Sequence, residues 1–278
     1  MTTMAMQADT LTSRSTDWRL PGDSTTDELG SLARAFNRLL DRLSAAMRSQ
    51  RQFMADASHE LRTPVSVIQT AAEVTLEREA RESWEYRDAL AIISEQSVRL
   101  TRMVEDMLVL ARADAGGYPL TRRLLYIDEV VAECVRAVSV IAATRSVAFV
   151  TRLEPDVSMT GDDGLLRRLT MNLLDNAVQY TPAGGTVTVT LTCEANLATI
   201  SFSDTGPGIP AAERERVFER FVRLDPARSE KSGAGLGLPI ARWIAEEHGG
   251  TLTVEQNDAG GCRFVARLPL RQSKINRE

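Results

Sequence analysis

The sequence predicts an α+β protein in two folded parts: a long helical hairpin, then a layered domain of helices and mostly antiparallel strands. Two patterns carry that reading. Apolar residues from Leu29 to Ala57, and again from Tyr86 to Ala111, recur at alternating three- and four-residue steps, the mark of helices that pack along a seam. Beyond Pro119 the period changes, and segments such as Thr186–Cys193 place Val187, Val189 and Leu191 on one face of a strand. A length of 278 residues accommodates two ordinary domains, and 43% hydrophobic residues supply cores for both.

Residues 1–26 carry Thr, Ser, Asp and Gly with little apolar patterning, and read as disordered or as a truncated connector. The first seam follows, through Leu29, Leu32, Phe36, Leu39, Leu43, Ala46, Gln50, Phe53 and Ala57, with Thr26 or Asp27 as its N-cap. The helix continues past His59 to about residue 78, and a charged turn occupies Glu77 to Ser83. A second seam runs through Tyr86, Leu90, Ile93, Ser97, Leu100, Val104, Met107 and Ala111, and Gly116, Gly117 and Pro119 stop it. A single hairpin cannot bury both seams, so the pattern predicts a homodimer forming a four-helix bundle. The second part reads as helix 127–143, strand 147–153, helix 164–180, strands 186–193 and 197–203 joined by Glu194-Ala195-Asn196, helix 236–248 ending at Gly249-Gly250, and strands 251–256 and 262–268.

Composition narrows the function. A net charge of −5 argues against a nucleic-acid partner, which usually meets a basic patch. Cys134, Cys193 and Cys262 are scattered, without metal spacing or a disulfide framework, as suits a reducing compartment. No apolar run reaches the roughly 18 residues of a membrane span, and the start lacks a signal-peptide pattern, so the chain reads as soluble, or as a piece of something anchored.

Four segments carry chemistry. In Ser58-His59-Glu60-Leu61-Arg62-Thr63-Pro64, His59 lies between seam positions and faces solvent, a neutral imidazole able to act as nucleophile. Glu60 beside it can accept the ring proton, and Pro64 interrupts the helical hydrogen bonding to Glu60. On the helix to Tyr180, Arg168, Asn172, Asn176 and Tyr180 form one stripe. Asparagine is a poor helix residue, but its amide oxygen suits Mg²⁺, and Tyr180 could stack on a base. Asp204-Thr205-Gly206-Pro207-Gly208-Ile209-Pro210 follows a strand, placing a carboxylate within reach of an adenine amine. In isolation that segment is a turn. Lys231-Ser232-Gly233-Ala234-Gly235-Leu236-Gly237 leads into a helix whose N-terminal amides suit phosphates, with neither Rossmann nor Walker spacing. Phe218 and Phe221 anchor the segment between, and the polar stretch 226–232 reads as a lid, with Arg223, Arg228 or Lys231 available to neutralise phosphate charge, or as an ordinary solvated loop.

In this order the segments resemble the sensor histidine kinase family, over residues 27–270. Asp27-Glu28-Leu29-Gly30 is similar to the second helix of a HAMP relay domain, and Leu20-Pro21-Gly22-Asp23 to the end of its connector. His59 to Ile68 is similar to the phosphoacceptor box, and 172–182, 204–210, 218–221 and 233–238 to the boxes of the ATP-binding domain. The resemblance divides the chain into 1–26 connector, 27–50 HAMP helix, 51–115 dimerisation and phosphotransfer hairpin, 116–123 linker, 124–271 ATP-binding catalytic domain and 272–278 tail. The implied catalytic fold is the α/β sandwich of gyrase, heat-shock chaperone and mismatch-repair ATPases.

The implied activity is Mg²⁺- and ATP-dependent phosphorylation of His59 with Glu60 as base, then transfer to an aspartate on a response regulator receiver domain. Thr63 with Glu60 would orient water for dephosphorylation of that partner. Asn176 would hold Mg²⁺ with Asn172 assisting, Tyr180 would stack on adenine and Asp204 bind its amine, Gly206, Gly208, Gly233, Gly235 and Gly237 would shape the nucleotide loops, and Arg223 would meet phosphate; Lys231 is the further phosphate-binding cation read from the polar stretch itself. Gln179 stands where the family often has lysine. The first HAMP helix and a membrane span are absent from the sequence, so the resemblance implies a parent protein anchored in a bacterial cell membrane with this part on its cytoplasmic side. A non-kinase ATPase of the same superfamily and an inactive dimer scaffold are the alternatives.

Overall fold

Two long helices precede the sheet domain in the computed structural model, which describes residues 28–77, 82–224 and 233–270. The expected N-caps Thr26 and Asp27, the connector, most of the charged turn, the polar lid with Arg228 and Lys231, and the tail from residue 271 lie outside the described residues. The chain divides into two compact units that part between Thr63 and Pro64.

Helix α1 (Glu28–Leu76) crosses that boundary and runs through Pro64, ending close to the expected residue 78. In the first unit Ala33, Asn37, Ser44 and Ala57 are buried, whereas the seam residues Leu32, Phe36, Leu39 and Leu43 are exposed, Leu39 by 60%. Of the expected seam from Leu32 to Ala57, only Ala57 is buried among the described residues.

In the second unit, helix α2 (Ser83–Asp114) starts with the Glu85 carboxylate accepting the Glu82 N–H at 3.0 Å. It ends as the glycines require: Gly117 N–H reaches Arg112 O at 3.2 Å and Gly116 N–H reaches Ala113 O at 3.0 Å, with Gly116 in the left-handed region. The second seam is also open at Tyr86, Leu90 and Val104. The buried residues are instead Met103, Val109 and Leu110, and α2 packs on helix α5 (Gly237–Glu247). This second stripe was not expected from the sequence, because the stronger seven-residue pattern masks it. Asp106 on the same side pairs with Arg168, and Asp114 takes a two-pronged pair from Arg220 at 2.6 and 2.8 Å. Burial pushes the Asp106 carboxyl up, and the hydrogen bond from Arg168 opposes it.

The expected linker is fastened down. Tyr118 sets its ring edge-on to Trp243 at 5.1 Å, Thr121 N–H donates to the Asp162 carboxylate at 2.8 Å, and Arg122 donates to Glu247 O at 2.7 Å. Strand β1 (Arg123–Tyr126) follows at once and pairs antiparallel with β3 (Ser158–Gly161). Neither short strand was expected, since four residues such as Ser158-Met159-Thr160-Gly161 show no clear alternation.

Five strands form the main sheet in the order β2 (Ala148–Leu153), β4 (Thr186–Glu194), β5 (Leu197–Asp204), β7 (Cys262–Pro269), β6 (Thr251–Gln256). β2 runs parallel to β4, and the other neighbours are antiparallel. Helices α3 (Ile127–Thr144), α4 (Asp163–Tyr180) and α5 pack on one another and on the sheet. The inner face is built in register: Val189, Phe202 and Phe264 lie side by side, as do Leu191, Ile200 and Ala266, and all are buried. Alternate residues Thr188 and Thr190 fall on the opposite face and stay partly exposed, as the two-residue strand period demands. The result is a helical hairpin followed by a two-layer α/β domain.

His248, only 4% exposed, joins two ends of that domain. Its Nε2 accepts the Asp162 N–H at 3.0 Å, so Nδ1 carries the proton and donates to Ile244 O at 2.8 Å. Asp162 in turn caps α4 by accepting the Leu165 N–H at 3.1 Å. Burial lowers the His248 pKa from its usual 6.5.

Two outcomes follow. A histidine that is harder to protonate when folded leaves the unfolded chain binding more protons below about pH 6.5, so stability should fall as pH drops from 7 to 5. In His248→Gln that component of the slope should vanish, at a cost of about 1–3 kcal/mol near neutral pH for the buried bond, as read by thermal unfolding across pH. The double variant Asp106→Asn/Asp114→Asn should speed hydrogen exchange in residues 103–114 several-fold and leave β4 and β5 unchanged.

Candidate functional site

The inward residues of β5 are Ala198, Ile200, Phe202 and then Asp204, so a carboxylate ends a file of apolar side chains. Asp204 is 2% exposed. Its Oδ1 accepts the Gly206 N–H at 2.8 Å and the Cys262 N–H at 3.3 Å, while Oδ2 accepts nothing among the described residues. Burial raises its pKa, and the two backbone donors offset part of that rise. Burial, with Asp204 beside it, pushes the Cys262 thiol up to about 12, so the sulfur stays protonated.

The loop after Asp204 approaches the end of α4. A Cβ on Gly206 would lie 2.8 Å from Tyr180 O, and one on Gly208 would lie 2.5 Å from Gly260 O. Gly208 also has φ near +75°, so both space and conformation require glycine there. Tyr180, half-buried, Asp204, Gly206 and Gly208 therefore form one cluster.

A second cluster surrounds the start of α5. Asn172 Nδ2 donates to Gly237 O at 2.9 Å and so docks α5 on α4. Gly235 O accepts the Phe221 N–H at 3.1 Å, while Gly233 is exposed. Phe218 is buried edge-on against Phe264 at 6.3 Å, with the Arg242 guanidinium 5.0 Å from its ring centre. The aromatic segment is thus anchored by Phe218 through its ring and by Phe221 through its backbone. Arg223 sits half-buried just beyond, and Lys231 lies outside the described residues.

Helix α4 carries both clusters. Asn172 and Tyr180 are two turns apart, about 12 Å along the axis, and Asn176 stands between them. The Asn176 amide is half-exposed and makes no hydrogen bond among the described residues, whereas the Asn172 amide nitrogen is committed to Gly237. Arg168, the first residue of the expected stripe, points its charge at Asp106 of α2. A hard oxygen donor such as the Asn176 amide, an open carboxylate oxygen and a glycine-rich helix start fit a nucleotide with its magnesium ion.

In the first unit His59 and Thr63 are exposed and Glu60 is half-buried. The Ser58 hydroxyl turns back to donate to Met54 O at 2.7 Å, so it is engaged with its own helix rather than with the solvent-facing imidazole's surroundings. Residues missed at the sequence level are Asp106, Asp114, Arg220 and Asn257. Their partners lie tens of residues away, and only the Asn257–Gly261 turn pattern was locally visible.

Comparison with known proteins agrees with this geometry. Residues 161–272 match the histidine kinase-, DNA gyrase B- and HSP90-like ATPase family, residues 49–116 the His kinase A phospho-acceptor domain, and residues 2–45 the HAMP domain. The sensor protein IrlS of Burkholderia pseudomallei is 39% identical over 90% of this chain and 53% of its own length. The sensor histidine kinase CusS of Escherichia coli is 34% identical over 96% of this chain and 55% of its own. The chain thus spans about half the length of these curated relatives. The histidine kinase ThkA, solved in complex with the response regulator protein TrrA, shares the fold at a TM-score of 0.66 and 21% identity, over 90% of this chain and 68% of that one. With relay, phospho-acceptor and ATPase matches following one another along its length, this chain belongs to the sensor histidine kinases of two-component signalling.

Proposed function

We propose that the protein is an ATP-dependent protein-histidine kinase that phosphorylates itself on His59 and passes the phosphoryl group to an aspartate on a response regulator receiver domain. The observation that carries this reading is Asp204: a buried carboxylate with one oxygen pinned by two backbone N–H groups and the other left as an acceptor. Such an oxygen suits the exocyclic amine of adenine. From there α4 leads past Tyr180, which would stack on the base, and Asn176 to the α5 start, where Gly233, Gly235 and Gly237 and the helix amides suit phosphates. Asn172 positions that helix start. Arg223 and Lys231 are the cations for the terminal phosphate.

Magnesium, when bound, neutralises phosphate charge, and Asn176 would hold it. A ring nitrogen of His59 attacks the γ-phosphorus, an N–P bond forms as the β–γ bridging O–P bond breaks, ADP leaves, and the ring proton passes to Glu60. Thr63 with Glu60 would orient water for the reverse duty of dephosphorylating the regulator. The exposed seams Leu32–Leu43 on α1 and Tyr86–Val104 on α2 support homodimerisation as a four-helix bundle, since isolated monomers rarely leave such stripes in water. The HAMP match supports a parent protein held at a membrane, although no described helix is long and apolar enough to cross one.

Incubation with γ-labelled ATP should yield a phosphoprotein labile in acid and stable in base. His59→Gln should lower the label at least a hundredfold, whereas folded His248→Gln should retain it. These are the chain's two histidines. Steady ATP hydrolysis without phosphoprotein would instead indicate a non-kinase ATPase. Asp204→Asn should weaken ATP roughly ten- to hundredfold, the loss of a charge-assisted hydrogen bond worth about 1.5–3 kcal/mol, measured by titration calorimetry.

A further inference from the structure

We infer that Asn257, which lies outside the nucleotide-contacting set, is the positioning residue that aims Asp204 and thereby sets selectivity for a 6-aminopurine. This rests on the reading of Asp204 as the base-binding carboxylate.

Asn257 opens the turn between β6 and β7. Its Nδ2 donates to Ser203 Oγ at 2.7 Å, to Asp204 O at 2.6 Å and to Cys262 O at 3.2 Å. Its Oδ1 accepts the Ala259 N–H at 3.1 Å and the Gly261 N–H at 2.9 Å. An amide alone among short side chains offers donors on one side and acceptors on the other, and here both sides are used. The donor side grips the end of β5, and the acceptor side holds the turn.

The turn bears directly on the base-binding carboxylate. Cys262, the first residue after it, supplies one of the two N–H donors to Asp204 Oδ1. Gly261 is pressed so closely on β5 that a Cβ there would stand 2.1 Å from Asp204 O. Gly260 O lies against Gly208 in the same manner, so the turn backs both halves of the Asp204–Gly208 loop. Releasing the turn removes the Cys262 donor from Oδ1 and leaves the carboxylate held by the Gly206 N–H alone and free to turn about its Cβ–Cγ bond. The open oxygen is then no longer held for one amine, while the phosphate end, more than a helical turn away along α4, is untouched.

The test uses the full chain and titration calorimetry with ATP and with purine riboside triphosphate, which lacks the 6-amino group. Wild type should prefer ATP by about tenfold or more, the worth of one charge-assisted hydrogen bond. Asn257→Ala should cut that preference by roughly fivefold or more while binding the analogue within about twofold of wild type. Asn257→Asp, which keeps the acceptor for the turn and loses the donors, should do the same. A purely structural role would lower the melting temperature or weaken both nucleotides equally, and would leave their ratio unmoved. Either variant, shown folded by a cooperative melt, keeping the wild-type ratio overturns the inference. If Asn257→Ala does not melt cooperatively, Asn257→Asp decides. Equal binding of the two nucleotides by wild type would overturn the Asp204 reading itself, and the inference with it, before any Asn257 variant is compared.

Discussion

A carboxylate at the end of an apolar strand file is the constraint around which the sheet domain is organised. Asp204 occupies the same face as Phe202 and Ile200, where an unpaired charge would be costly. The fold meets that cost with backbone rather than with a cation. Gly206 and Cys262 bring N–H groups to one oxygen, which obliges the loop after β5 and the turn before β7 to converge there. That convergence leaves no room for side chains at Gly208 and Gly261.

Helix α4 converts this local arrangement into a site. Its buried face, with Leu166, Leu169, Leu173 and Ala177, seats it on the sheet, and its polar stripe then has one direction left. Arg168 reaches the hairpin, Asn172 fastens the start of α5, Asn176 remains available, and Tyr180 ends beside the Asp204 loop. Four residues at one helical spacing thus serve different tasks because different neighbours meet each turn.

Helix α2 shows a similar division between its faces. One stripe, through Met103 and Leu110, is buried in the unit that contains the ATPase fold, with ion pairs at Asp106 and Asp114 alongside. The other, through Tyr86, Leu90 and Val104, stays open. Partly exposed ion pairs contribute little stability each, so the buried methionine and leucine anchor the contact and the charges fix its register. The same helix can therefore serve intramolecular docking and, in the proposed dimer, a second copy.

Periodicity and local chemistry were enough for the helices, the principal strands, the order of the segments and the exposure of His59, because hydrophobic period and helix stop signals act within a few residues of one another. Asp204 and the asparagine stripe were recognisable for the same reason. The short strands β1 and β3, the second apolar stripe of α2, the pairing of Arg168 with Asp106 and the grip of Asn257 on β5 were decided only by tertiary structure. Each depends on groups far apart in sequence that become neighbours when layers close, and no local pattern records which distant backbone carbonyl or carboxylate will be left needing a partner.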